Sequence, residues 1–112
     1  MIYPVQPDTR NAGRVSGSST TLPLSFFHLA HLLQAGVSLS DALVDVNSQE
    51  PKRRMKRIWS DICVRVEQGK TLSDALAAWP HVFDPVVVAM VQAGEASGRL
   101  AESCETIQQL MQ

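Results

Sequence analysis

The sequence predicts an all-α fold, a compact bundle of about six antiparallel helices, and three observations carry that expectation. Apolar residues recur at three- and four-residue spacing through most of the chain after Pro23. Glycines followed closely by Ser or Thr, with Asp three residues on, punctuate the pattern as helix stops and starts. The single β-rich run has no second strand candidate to pair with, so a sheet would leave its backbone groups unsatisfied. At 112 residues, with 45% hydrophobic residues, the chain has material for one modest core.

Taken in order, the opening "MIYPVQPDTRNAGRVSGSSTT" mixes Pro, Gly, Ser, Thr and Asn with almost no apolar periodicity. Such a composition buries too little surface to offset its ordering entropy, so 1–22 is expected to be a flexible lead-in and 23–112 the helical domain. It also lacks the apolar centre of a secretory signal peptide. A first helix is expected from Pro23 toward Gly36, apolar at Phe26, Phe27, Ala30 and Leu33. A second runs from Leu39 to about Asn47 through Ala42, Leu43 and Val46. In "SQEPKRR" polar caps precede Pro51, placed in the first turn of a third helix that carries Met55, Ile58, Trp59, Ile62 and Val66 toward Gly69. A short fourth helix spans Leu72 to Trp79 and is stopped by Pro80. Asp84 and Pro85 read as cap and first turn of a fifth, "PVVVAMVQAG", closed by Gly94 and expected to be buried on all sides. The sixth starts around Ser97 to Arg99 and points Leu100, Cys104, Ile107 and Leu110 inward.

Two of the starts are near copies. "GVSLSDAL" is echoed by "GKTLSDAL" roughly 33 residues later, a period that ankyrin and tetratricopeptide arrays share, but their own signatures are missing. The echo therefore reads as one local device used twice. Ser38 with Asp41, and Thr71 with Asp74, fit a capping box with Asp in the place of Glu, and Gly36 and Gly69 can end the preceding helices in a left-handed conformation. Gly94 and Gly98 are expected to bracket one further turn.

A net charge of −1 argues against bulk nucleic-acid binding. Cys63 and Cys104 lie in helical patterns without metal-ligand spacing, which fits reduced thiols in a cytosolic setting. The longest apolar run, Pro85 to Val91, is far short of the roughly 20 residues that span a bilayer. His28 and His31 are one helical turn apart, but no third ligand follows, and neither a nucleophile motif nor a phosphate loop is found. No catalytic residue, cofactor or metal site is expected. The dense feature of the surface is "KRRMKR": Lys52, Arg53, Arg54, Lys56 and Arg57 open the third helix against its dipole, at a cost of a few tenths of a kcal/mol each. They suit an acidic partner or an anionic membrane surface. A small helical DNA-binding regulatory domain is the alternative, although the basic residues do not lie on the helix after either turn, where base contacts would belong.

"FFHLAHLLQAGVSLSDAL", "GKTLSDALAAWPHVFDPVVVAMVQAGEASGRLAE" and the interval between them resemble the first cytoplasmic domain of the type II secretion system F and type IV pilus inner-membrane platform family. The likeness covers Phe26 to the C-terminus and is most specific in "MVQAGEASGRL", preceded by Gly-x-x-Leu-x-x-Ala-Leu and Pro-x-x-Phe. Members of that family are polytopic proteins with two such domains that scaffold pilin or pseudopilin assembly beside an ATPase. The resemblance implies a non-enzymatic scaffold domain on the cytoplasmic face of the bacterial inner membrane. Its implied partners are the cytoplasmic assembly ATPase and other platform proteins, with a second copy of the chain a further candidate and no nucleic acid. The expected partner-binding residues are the five cations and Glu95, which otherwise satisfies exposed amides at a helix start or binds a cation.

Overall fold

The computed structural model describes residues 21–111, and among them it has six α-helices and no strand. They are α1 (Leu22–Gln34), α2 (Leu39–Gln49), α3 (Arg53–Glu67), α4 (Leu72–Ala77), α5 (Pro85–Ser97) and α6 (Leu100–Leu110). Helices adjacent in sequence pack on one another, and α1 and α6 share the most extensive contact of all, so the principal contacts close a ring. Most of the expected lead-in lies outside the described residues; helix already begins at Leu22, whose side chain is buried.

The ring encloses the apolar stripes that the periodicity marks. Phe26 of α1, Trp59 of α3 and Phe83 of the α4–α5 connection meet edge to face at centroid distances of 6.2, 6.3 and 5.7 Å. Each such pair is worth roughly 0.5–1.5 kcal/mol beyond its buried area. Leu29, Leu43, Met55, Ile58, Ile62, Leu76 and Ile107 pack around them.

Local chemistry sets the corners. Gly36 and Gly69 adopt φ of +88° and +98°, a region where a Cβ is strained. Beyond them Val37 N–H donates to Leu32 O and Lys70 N–H to Arg65 O, both at 3.0 Å, the same two-bond closure at both sites. Ser38 Oγ then accepts from Asp41 N–H at 3.2 Å and Thr71 Oγ1 from Asp74 N–H at 3.1 Å. The return bond of a full capping box is not made by either carboxylate, because Asp is one methylene shorter than Glu. Asp84 Oδ1 accepts from Val86 N–H at 2.8 Å with Pro85 in the first turn, as expected.

Five expectations are corrected, the first being that Leu110 points inward: it lies at the end of α6 and is 67% exposed. Pro51 lies before α3, which starts at Arg53 with Lys52 as its cap residue, because Glu50 closes α2 and the corner occupies the intervening residues. The fourth helix ends at Ala77 rather than Trp79, consistent with the steric bias of a residue before proline away from helix. The fifth runs through Gly94 to Ser97, and Gly98, at φ +74°, is what stops it. Gly94 is therefore no turn residue. Nor is α5 buried on all sides: it sits on the ring between α4 and α6, with Val91 and Gly94 buried and Val86 62% exposed.

Candidate functional site

On α3 the basic run and the core share one helix but not one face. Met55, Ile58, Trp59 and Ile62 are buried, while Arg53, Arg54, Lys56 and Arg57 are exposed and Lys52 is half-buried. Lys56 Nζ donates to Asn47 O at 2.9 Å and holds the start of α3 against the end of α2. The dipole cost of placing cations here meets an answer that sequence reading missed, Glu50. Only 3% exposed, it accepts from Lys52 N–H at 3.1 Å through Oε2 and from Ser25 Oγ at 3.5 Å through Oε1. A carboxylate at the helix start favours both the dipole and the neighbouring cations. "EPK" before a helical pattern was the available signal, but Pro51 drew the helix start to itself.

Beside this corner lies a groove of about 430 Å³ between the first turns of α1 and the α2–α3 connection. Leu24, Phe27, Val46 and Pro51 supply its apolar wall, and Ser25 and Glu50 are its buried polar members. Leu24 is 68% and Phe27 44% exposed, and Pro51 of the same groove directly precedes the basic run in the chain.

Glu95 is placed elsewhere, on the last turns of α5. Its Oε2 accepts from Ser73 N–H at 2.9 Å and its Oε1 from Ser73 Oγ at 2.6 Å. The amide that it satisfies belongs to the first turn of α4, the neighbouring helix in the ring, so it joins two helices that the hydroxyl cap of Thr71 alone would not join. Glu95→Gln keeps the size but loses the charge assistance, and the expected cost is about 1.5 kcal/mol of unfolding free energy, read as a lower urea midpoint at unchanged slope.

Several further polar side chains tie the helices together. Asp61 Oδ2 accepts from Arg65 Nε at 2.7 Å and from Trp79 Nε1 at 2.8 Å, tying α3 to the residues after α4. The Arg65 hydrogen bond, with a smaller contribution from Trp79, holds the Asp61 carboxyl below its ordinary value of 3.8 although burial opposes it. His28 Nε2 lies 3.0 Å from Asp45 Oδ2, and His31 Nδ1 lies 3.0 Å from Phe27 O. No group of three or more metal-ligating side chains occurs among the described residues. Both cysteines are free; burial pushes the Cys104 thiol up to about 12, and burial with the Glu67 charge raises Cys63. The helices after the two copied turns, α2 and α4, carry Asp41, Asp45 and Asp74 and no Lys or Arg, a poor match to a phosphate backbone. Among the described residues no helix is long and apolar enough to cross a membrane.

Comparison with known proteins matches residues 26–112 to the family described as type II secretion system (T2SS), protein F. The type II secretion system protein F of Vibrio cholerae is 39% identical over 90 residues, 80% of this chain and 22% of that protein. The protein transport protein HofC homolog of Escherichia coli K12 is 38% identical over 76 residues, 68% of this chain and 19% of that protein. The type IV pilus assembly protein PilC of Myxococcus xanthus is 38% identical over 71 residues, 63% of this chain and 17% of that protein. The chain thus spans about a fifth of the length of these relatives.

Proposed function

The chain belongs to the type II secretion system protein F family, and from that premise we propose that it acts as a non-enzymatic scaffold domain of an inner-membrane secretion or pilus assembly platform. In this reading it works on the cytoplasmic face of the membrane and contacts the assembly ATPase and other platform proteins. The observation that carries the contact is the exposure of Arg53, Arg54, Lys56 and Arg57 on a helix whose other face is core. Cations held on a packed helix present a fixed field, which orients an acidic partner and speeds encounter more than it adds raw affinity. A scaffold needs that rigidity and needs no chemistry, and the described carboxylates Glu50, Asp61 and Glu95 are spent on helix ends and corners.

The test replaces Arg53, Arg54 and Arg57 together by Glu in the whole chain. Because all three are exposed, the melting transition should shift by no more than about 0.5 kcal/mol per site. Affinity for the assembly ATPase or a cytoplasmic domain of a platform partner should fall at least about tenfold, and the loss should shrink at high salt. Unchanged affinity for every platform component, in a folded variant, would return the run to a solvated face.

A further inference from the structure

We propose that the groove at the start of α1 and the basic run of α3 form one docking site for an amphipathic segment of a partner protein, apolar on one side and acidic beside it. The inference rests on the scaffold reading and specifies what the partner must present. Three observations combine. The groove holds about 430 Å³ between α1 and the α2–α3 connection. Its wall includes Leu24 and Phe27, two of the large apolar side chains that the chain leaves in water. Its last member along the chain, Pro51, is followed immediately by Lys52 and Arg53, so the basic run begins where the groove's lining ends in the chain.

Charge then decides the order of the occupant. Glu50 at the groove carries a buried carboxylate that disfavours acidic side chains there, whereas the exposed Arg53 and Arg57 favour them along the start of α3. A segment with large apolar residues opposite the groove and Glu or Asp opposite α3 meets both conditions, and the reverse register meets neither. A helix laid in a groove by a few apolar anchors is a common way for one protein to hold another.

The experiment titrates the whole chain with a synthetic amphipathic helix peptide, Leu and Trp on one face and Glu on the other, and with a shuffled peptide of the same composition. Two variants are compared with the wild type, Leu24→Ser with Phe27→Ser in the groove and Arg53→Glu with Arg57→Glu on the run; melting curves check that each is folded. Binding of the ordered peptide should weaken at least about tenfold in each variant, the shuffled peptide should bind as weakly as the variants do, and only the charge-reversed variant should lose the salt dependence. Equal binding of the two peptides, or wild-type affinity in the groove variant, overturns the inference. So does a groove variant that, without peptide, shifts the nuclear resonances of residues 1–20, which would assign the groove to the chain's own N-terminal residues. Loss of self-association in that variant would assign it to a second copy and overturn the inference too. Platform components tested in parallel separate the two claims: binding that is lost on charge reversal and kept in the groove variant removes this inference alone, whereas components that ignore both variants remove the proposed contact as well.

Discussion

Trp59→Ala should lower the unfolding free energy by about 4 kcal/mol, within the range of roughly 3–5 for removing a buried aromatic side chain. Trp59 is 0% exposed and touches both other members of the aromatic cluster, Phe26 at 6.2 Å and Phe83 at 5.7 Å. Its loss therefore removes two of the three ring pairs as well as the largest buried side chain, in the one core cluster that the described residues form. Domains of this size are stable by about 5–15 kcal/mol, so such a cost takes away a large share of the total. The urea midpoint should drop steeply at little changed slope. Trp59 Nε1 is buried and has no hydrogen-bond partner among the described residues, which sharpens the test. Trp59→Phe removes that unsatisfied donor along with some volume, so its cost should stay below about 2 kcal/mol. If Trp59→Ala costs less than about 1.5 kcal/mol, the aromatic cluster is not the centre of the core.

Gly94→Val should cost roughly 3 kcal/mol and should show its effect through α6. A Cβ at position 94 would stand 2.9 Å from Ser103 Cβ and 3.1 Å from Leu100 Cα, and would press harder still on Ser103 Oγ. The first and third of these can give way only if the Ser103 side chain leaves, while Leu100 Cα is backbone. Replacing a helical glycine normally stabilises, by about 1 kcal/mol for Ala, so an observed loss means that overpacking outweighs the propensity gain. The predicted signature is partial rescue by Ser103→Gly, which removes two of the three contacts and leaves the one with Leu100. A stable Gly94→Val protein, with no coupling between positions 94 and 103 in a double-mutant cycle, would show that α5 and α6 do not approach as closely as described.

Gly94 also shows where reading the sequence goes astray. A glycine after an apolar helical pattern is commonly a stop, and "VQAGEASG" offers two. Gly98 takes the left-handed conformation, so Gly94 is free to be helical, and what requires it is the approach of a helix that begins at Leu100. Glu95 follows the same logic. Its position suggested a carboxylate for exposed amides, and the amide that it serves is Ser73 N–H, on a helix that precedes it in the chain. The expectation that α5 is enclosed failed because hydropathy reports what a helix could bury, while the ring determines how many neighbours it has.

The six helices, both copied corners and the division of α3 into a core face and a cationic face are legible in the residue pattern alone. All of these depend on groups within about two helical turns of one another, Ser38 with Asp41, Gly69 with Lys70 and Arg65, and Met55 with Ile58 and Ile62. Such contacts are built into the helical repeat and the geometry of a turn, so spacing is enough to find them. Only the tertiary structure decided that Glu95 holds Ser73, that Asp61 receives Trp79 Nε1, that Gly94 gives room to Ser103, and that Leu24, Phe27 and Glu50 share one groove beside the basic run. Those pairs are set by the crossing of helices that the chain brings together from separate stretches. Spacing along the sequence carries no term for that distance, because it is fixed by the packing of all six helices at once.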